Sequence, residues 1–151
     1  MKISQPLLVS IMLATSIVAF AAKSIPGPKG GRILTTDAPH AEFFVERDRT
    51  VTITFYDLSL KPVPVAGQVV TGVAEAKAGM VGLEFAAKGG ALVSNIPLPE
   101  SDDYTVVLQV RTAASARPKI YRVRFRDEIC GECKRAEYAC ICDEHGDEKK
   151  G

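Results

Sequence analysis

Through the middle of the chain, apolar and polar residues alternate one for one. In Thr50–Tyr56, Val51, Ile53 and Phe55 face one way while Thr52 and Thr54 face the other. In YTVVLQVRT, Tyr104, Val106, Leu108 and Val110 alternate with Thr105, Gln109 and Arg111. In IYRVRFR, Tyr121, Val123 and Phe125 oppose Arg122, Arg124 and Arg126. A period of two marks strands with one wet face. Further strands are expected in RILTT, AEFFVER, QVVTGVAEA, MVGLEFAAK and ALVSNI. Turn signals separate them: Asp48-Arg49, KPVPVAG, Ala78-Gly79, Gly89-Gly90 and PLPESDD. No window between them carries the 3.6-residue period of a helix. Seven or eight short strands at this spacing predict an all-β fold, an antiparallel β-sandwich with Greek-key connections. Tyr104 opens its strand after an acidic loop, the place of a tyrosine corner; an ordinary core tyrosine reads the same way in sequence.

The ends of the chain break this pattern. It opens MKISQPLLVSIMLATSIVAFAAKS, with Lys2 as a positive lead, an apolar run from Leu7 to Phe20, and an Ala19-Phe20-Ala21 cleavage site. That is the pattern of a secretory signal peptide, and the run is shorter than the ~20 residues a membrane span needs. A signal peptide over 1–21 is therefore expected, then a flexible linker over 22–30, a sandwich domain over 31–126 and an acidic Cys-rich tail over 127–151. The mature chain is expected to be periplasmic or secreted, with no membrane insertion after cleavage.

Charge adds one distinction. The net charge of +1 becomes zero once Lys2 is removed, too even for a nucleic-acid binder. Residues 22–126 hold 14 Lys and Arg against 10 Asp and Glu, and residues 127–151 hold 4 against 8. The acidic end is where the cysteines are.

All four cysteines fall in ICGECKRAEYACICDEH, spaced C-x2-C-x6-C-x-C. A C-x2-C pair lets two sulfurs on one tight turn reach one ion, and C-x-C offers two more from a second segment. Cys130, Cys133, Cys140 and Cys142 thus suit a tetrahedral Zn2+ or a soft ion such as Cu(I), and their short spacings make all four neighbours. His145, three residues past Cys142, is a candidate to replace one thiolate. The carboxylates around them favour a cation, although a solvated acidic tail explains most of these. Disulfides are the competing reading, because an even cysteine count in an exported chain is ordinarily oxidised. A bridge within C-x-C would be strained, so any bridges would cross between the two segments. A redox pair is less well supported, since C-x-x-C here follows a strand rather than opening a helix. A c-type haem needs C-x-x-C-H, and Lys134 stands at the histidine place.

The sandwich region also carries a resemblance. GPKGGRILTTDAPHAEFFVERDRTVTITFYDLSLKPVPVAGQVV and LVSNIPLPESDDYTVVLQVR contain a Gly-Gly pair, a D-x-x-x-K-P-V turn and an L-P-x-x-x-x-Y strand start. Over roughly residues 27 to 126 the chain resembles the Ig-like β-sandwich appended to periplasmic adaptor subunits of heavy-metal efflux pumps. The resemblance implies metal biology and a metal-efflux or envelope partner. Where such domains often place a histidine before the Gly pair, this chain has Lys29. The Cys-rich tail is not part of that pattern and resembles the ends of small exported bacterial proteins.

Other features carry less. Arg122, Arg124 and Arg126 make either a basic ribbon or the wet face of an edge strand, and the second reading is favoured. His40 entering its strand is a lone histidine with no partner near it in sequence. No G-x-S-x-G, H-E-x-x-H, Walker or G-x-G-x-x-G pattern occurs, so an enzyme is not expected. The expectation is an exported β-sandwich protein that binds or handles a thiophilic metal through its tail. The alternative is an interaction module with a disulfide-locked tail. Because the apolar set from Arg32 to Arg126 is continuous, the tail is expected outside the core, and a chain ending after Asp127 is expected to fold.

Overall fold

Each alternating stretch becomes a strand in the computed structural model, which describes residues 25–101 and 103–142. The expected signal segment and His145 lie outside the described residues. The strands are β1 (Arg32–Ile33), β2 (His40–Val45), β3 (Val51–Tyr56), β4 (Pro62–Val63) and β5 (Val69–Ala76). They continue as β6 (Gly79–Lys88), β7 (Ala91–Ser94), β8 (Tyr104–Arg111) and β9 (Lys119–Phe125). The ninth strand beyond the expected set is β4, inside KPVPVAG. Its two residues pair with Phe55 and Tyr56, and proline is tolerated because it sits at the strand start.

The hydrogen-bonded order is β1-β2-β3-β7-β6-β5-β8-β9, with every pairing antiparallel and β4 attached to β3. β6 belongs to both leaves of the sandwich. Its residues Gly79–Glu84 pair with β5, and Phe85–Lys88 pair with β7. Apart from that shared strand, β2-β3-β7-β6 faces β5-β8-β9, the order of an Ig-like sandwich. The sheet therefore curls as a half-barrel, leaving β1 and β9 as its two edges.

Between the leaves, the inward half of each alternating pattern meets. Ile53, Phe55, Val106, Leu108, Val123 and Phe125 are all buried in one cluster. Thr52 and Thr54 are buried as well, on the outer side of β3, which has neighbours along both edges. Of the two readings open for Tyr104 the corner is the one observed: its hydroxyl donates to the Pro99 carbonyl at 3.1 Å. The arginine row of β9 is an ion-paired outer face: Arg122 meets Glu75 at 3.7 Å, and Arg124 and Arg126 both meet Asp103.

His40 is buried with Nδ1 3.2 Å from the Thr35 carbonyl oxygen. A carbonyl only accepts, so Nδ1 carries the proton and the ring serves the fold. Two residues on, the Glu42 carboxylate is fully buried on the outer face of β2. It accepts from the backbone N–H groups of Lys29 and Gly31 at 3.0 and 2.8 Å and from the Tyr56 hydroxyl at 2.6 Å. The chain from Gly27 to Gly31 thus folds over β2.

Candidate metal centre

After β9 the chain turns back on itself instead of leaving the sandwich. Glu137 N–H donates to the Glu128 carbonyl at 2.7 Å, Ile129 bridges Ala136, and Cys130 N–H donates to the Arg135 carbonyl at 2.7 Å. The result is a small hairpin with Cys130-Gly131-Glu132-Cys133 at its tip. Lys134, at φ 58°, turns the chain back, and Lys134 N–H closes the tip on the Cys130 carbonyl at 3.1 Å. A short 3-10 turn, Glu137–Ala139, then delivers Cys140 in extended conformation. In extended backbone, residues two apart project to the same side, so Cys140 and Cys142 point together.

The two knuckles meet. All four Sγ atoms lie within 4.8 Å of one another. Cys140 Sγ is 3.5 Å from Cys130 Sγ, Cys133 Sγ 3.7 Å from Cys140 Sγ, and Cys130 Sγ 3.9 Å from Cys142 Sγ. Zn–S bonds of ~2.3 Å at tetrahedral angles put sulfurs about 3.8 Å apart, so these edges match a four-thiolate shell. They are also far beyond the ~2.05 Å of a covalent S–S bond, and all four cysteines are free thiols. The expected gathering of the four is therefore observed, without a disulfide. His40 is not among them.

The sulfurs are not equivalent. Backbone N–H groups of Ile141 and then Arg135 hold the Cys133 thiol down, to about 6. Burial pushes the Cys140 and Cys142 thiols up, and Cys142 N–H approaches Cys140 Sγ at 3.4 Å. N–H groups aimed at sulfur serve the thiolate form, which is the form that ligates. Cys130 is only 2 % exposed, while the other three are half-buried.

The knuckle is also anchored in a way the sequence did not announce. Tyr138 is 5 % exposed and belongs to the sandwich core, as does Ala139. Its ring stacks on Phe125 at 5.5 Å and meets Phe43 edge-on at 5.6 Å. Its backbone N–H donates to the Arg126 carbonyl, and its hydroxyl accepts from Val45 N–H at 3.1 Å. The 3-10 turn touches both β1 and β9, so it sits in the opening between the two edges of the half-barrel. The expectation of a tail outside the core thus meets a tail whose tyrosine fills it. One signal was available: Tyr138 is the lone aromatic of an otherwise acidic segment.

Comparisons with protein-family models, with curated proteins and with solved structures returned no match.

Proposed function

We propose that this is an exported metal-binding protein whose knuckle holds one thiophilic ion, Zn2+ or Cu(I), against the mouth of a β-sandwich. The observation that carries the reading is the set of four thiols whose sulfurs all lie within 4.8 Å of one another, three of the edges at 3.5 to 3.9 Å. Four thiolates around one point form a closed, tetrahedral set, the arrangement Zn2+ favours, and thiolate softness also suits Cu(I). Export is supported by the signal pattern over residues 1–21. A role in metal handling, with a metal-efflux or envelope protein as partner, follows from the resemblance to efflux adaptor domains. The half-buried Cys133, Cys140 and Cys142 suit such exchange, because an incoming ligand can reach them. The chain acts in this reading as a binding protein rather than an enzyme.

Thiol titration tests it. In protein kept under its native redox conditions, the four thiols should react slowly, then fast once a chelator is added. Thiols absent until a reductant is supplied would replace the metal with bridges.

A further inference from the structure

Beside the knuckle, at the mouth of the sandwich, lies a cleft of about 520 Å³. Five basic side chains line it, against the carboxylates of Glu46 and Asp127. Both carboxylates are already engaged: Lys29 meets Glu46 at 3.6 Å and Arg49 meets Asp127 at 3.4 Å. The remaining three, Arg47, Lys134 and Arg135, have no ion pair among the described residues. Arg47 comes from the turn between β2 and β3, whereas Lys134 and Arg135 come from the knuckle between Cys133 and Cys140. The fold therefore brings cations with no carboxylate partner among the described residues from distant parts of the sequence to one concavity. Lys134 donates there only to the Gly131 carbonyl and Arg135 only to the Gly27 carbonyl. The walls are apolar where Phe44 and Tyr138 contribute.

Volume and charge together define a ligand class. Small-molecule sites run from roughly 300 to 1,000 Å³, and this cleft lies in that range. Guanidinium forks match carboxylate and phosphate oxygens in pairs, and a concave, partly apolar surround weakens screening by water. We propose that this cleft binds a small anion bearing carboxylate or phosphate groups. The site needs the folded knuckle, which supplies one wall, but it does not depend on which ion the cysteines hold.

The test uses the full chain, isotope-labelled and at low salt, titrated separately with inorganic phosphate and with succinate. Both are weak chelators, so the knuckle keeps its ion. Saturable amide shifts at Arg47, Lys134 and Arg135 are expected with one or both, and the better ligand identifies the source chemistry. Arg47→Glu should raise the dissociation constant roughly tenfold or more, the loss of one charge-assisted contact. Arg117→Glu, an exposed arginine absent from the cleft lining, should leave it unchanged. The proposal is overturned by shifts that never saturate, or by equal weakening from both substitutions, which would mean diffuse surface charge. A Glu-rich peptide binding the cleft tightly where both small anions fail would likewise overturn it and point to a protein partner.

Discussion

Glu42 shows how much of a fold can rest on one carboxylate. It is fully buried, and its oxygens are held by two backbone N–H groups and one phenol rather than by a cation. Burial, then the hydrogen bond to Glu42, push the Tyr56 phenol above its usual range. A Cβ at Gly27 would collide with the Glu42 carboxylate, and one at Gly31 with the Phe43 carbonyl, so both positions need glycine for the close approach. In AEFFVER the glutamate reads as a wet-face residue, and nothing in the string says that residues 27–31 return to cover it. Glu42→Ala would leave three donors unpaired in a dry site. Hydrogen bonds to charged groups are worth ~1.5–3 kcal/mol each, so a loss of about 3 kcal/mol or more is expected in a denaturant melt. Glu42→Gln keeps the shape and an acceptor for the backbone donors, and should cost clearly less. At the other end of the chain, Tyr138→Phe removes the acceptor for Val45 N–H while keeping the rings packed. A cost of about 1 kcal/mol is expected, with faster hydrogen exchange at the Val45 amide as its local signature.

Strands were the most legible elements. The inward sets Val51-Ile53-Phe55 and Val106-Leu108-Val110 are buried in one core, because a period of two leaves no freedom about which face turns inward. What alternation does not encode is which strand lies beside which. The sharing of β6 between leaves depends on pairings of Gly79–Glu84 and Phe85–Lys88 with different partners, which no local window contains. β4 was hidden for another reason: Pro62 and Val63 form a strand only because the edge of β3 beside Phe55 and Tyr56 is free. The outer face of β9 offers a test of charge at this scale. Hydrogen bonds from Arg124 and then Arg126 hold the Asp103 carboxyl down, to about 2 from an ordinary 3.8. A depressed carboxyl stabilises the fold above its unfolded pKa, and that gain is lost as pH falls from about 4 through about 2. Asp103 sits at φ 62°, a backbone region asparagine tolerates, so Asp103→Asn removes charge with little strain. The wild type should be slightly more stable than Asp103→Asn at pH 6, and the two should converge near pH 2. A constant gap across that range would mean the ion pairs contribute nothing; the group is exposed, so the gap is small.

For the whole molecule, sandwich and knuckle form one packed unit. The cysteine spacing made the four-sulfur cluster legible, because C-x2-C and C-x-C leave few other ways to place the thiols. The seat of the knuckle was not legible, since the contact of Tyr138 with Phe43 joins residues far apart in sequence. Tyr138→Ala should therefore cost roughly 3–5 kcal/mol, as for other large aromatic truncations in cores. A chain ending after Asp127 should melt cooperatively but be destabilised by at least as much as Tyr138→Ala. A truncated chain as stable as the full one would show that Tyr138 merely rests on the mouth. Metal binding and this seat should be coupled, because Cys130 and Cys140 flank the segment that holds Tyr138 in place. Removing the ion with a chelator is expected to speed exchange at the Val45 amide while the amides of β5 and β8 stay protected. The most direct measurement is elemental analysis, paired with intact mass, of protein isolated from its native compartment. The expected result is about one equivalent of Zn2+ or Cu(I) per chain, with all four cysteines reduced, as a four-thiolate shell requires. A metal-free chain four hydrogens light would contradict it, leaving two disulfides where the ion was proposed.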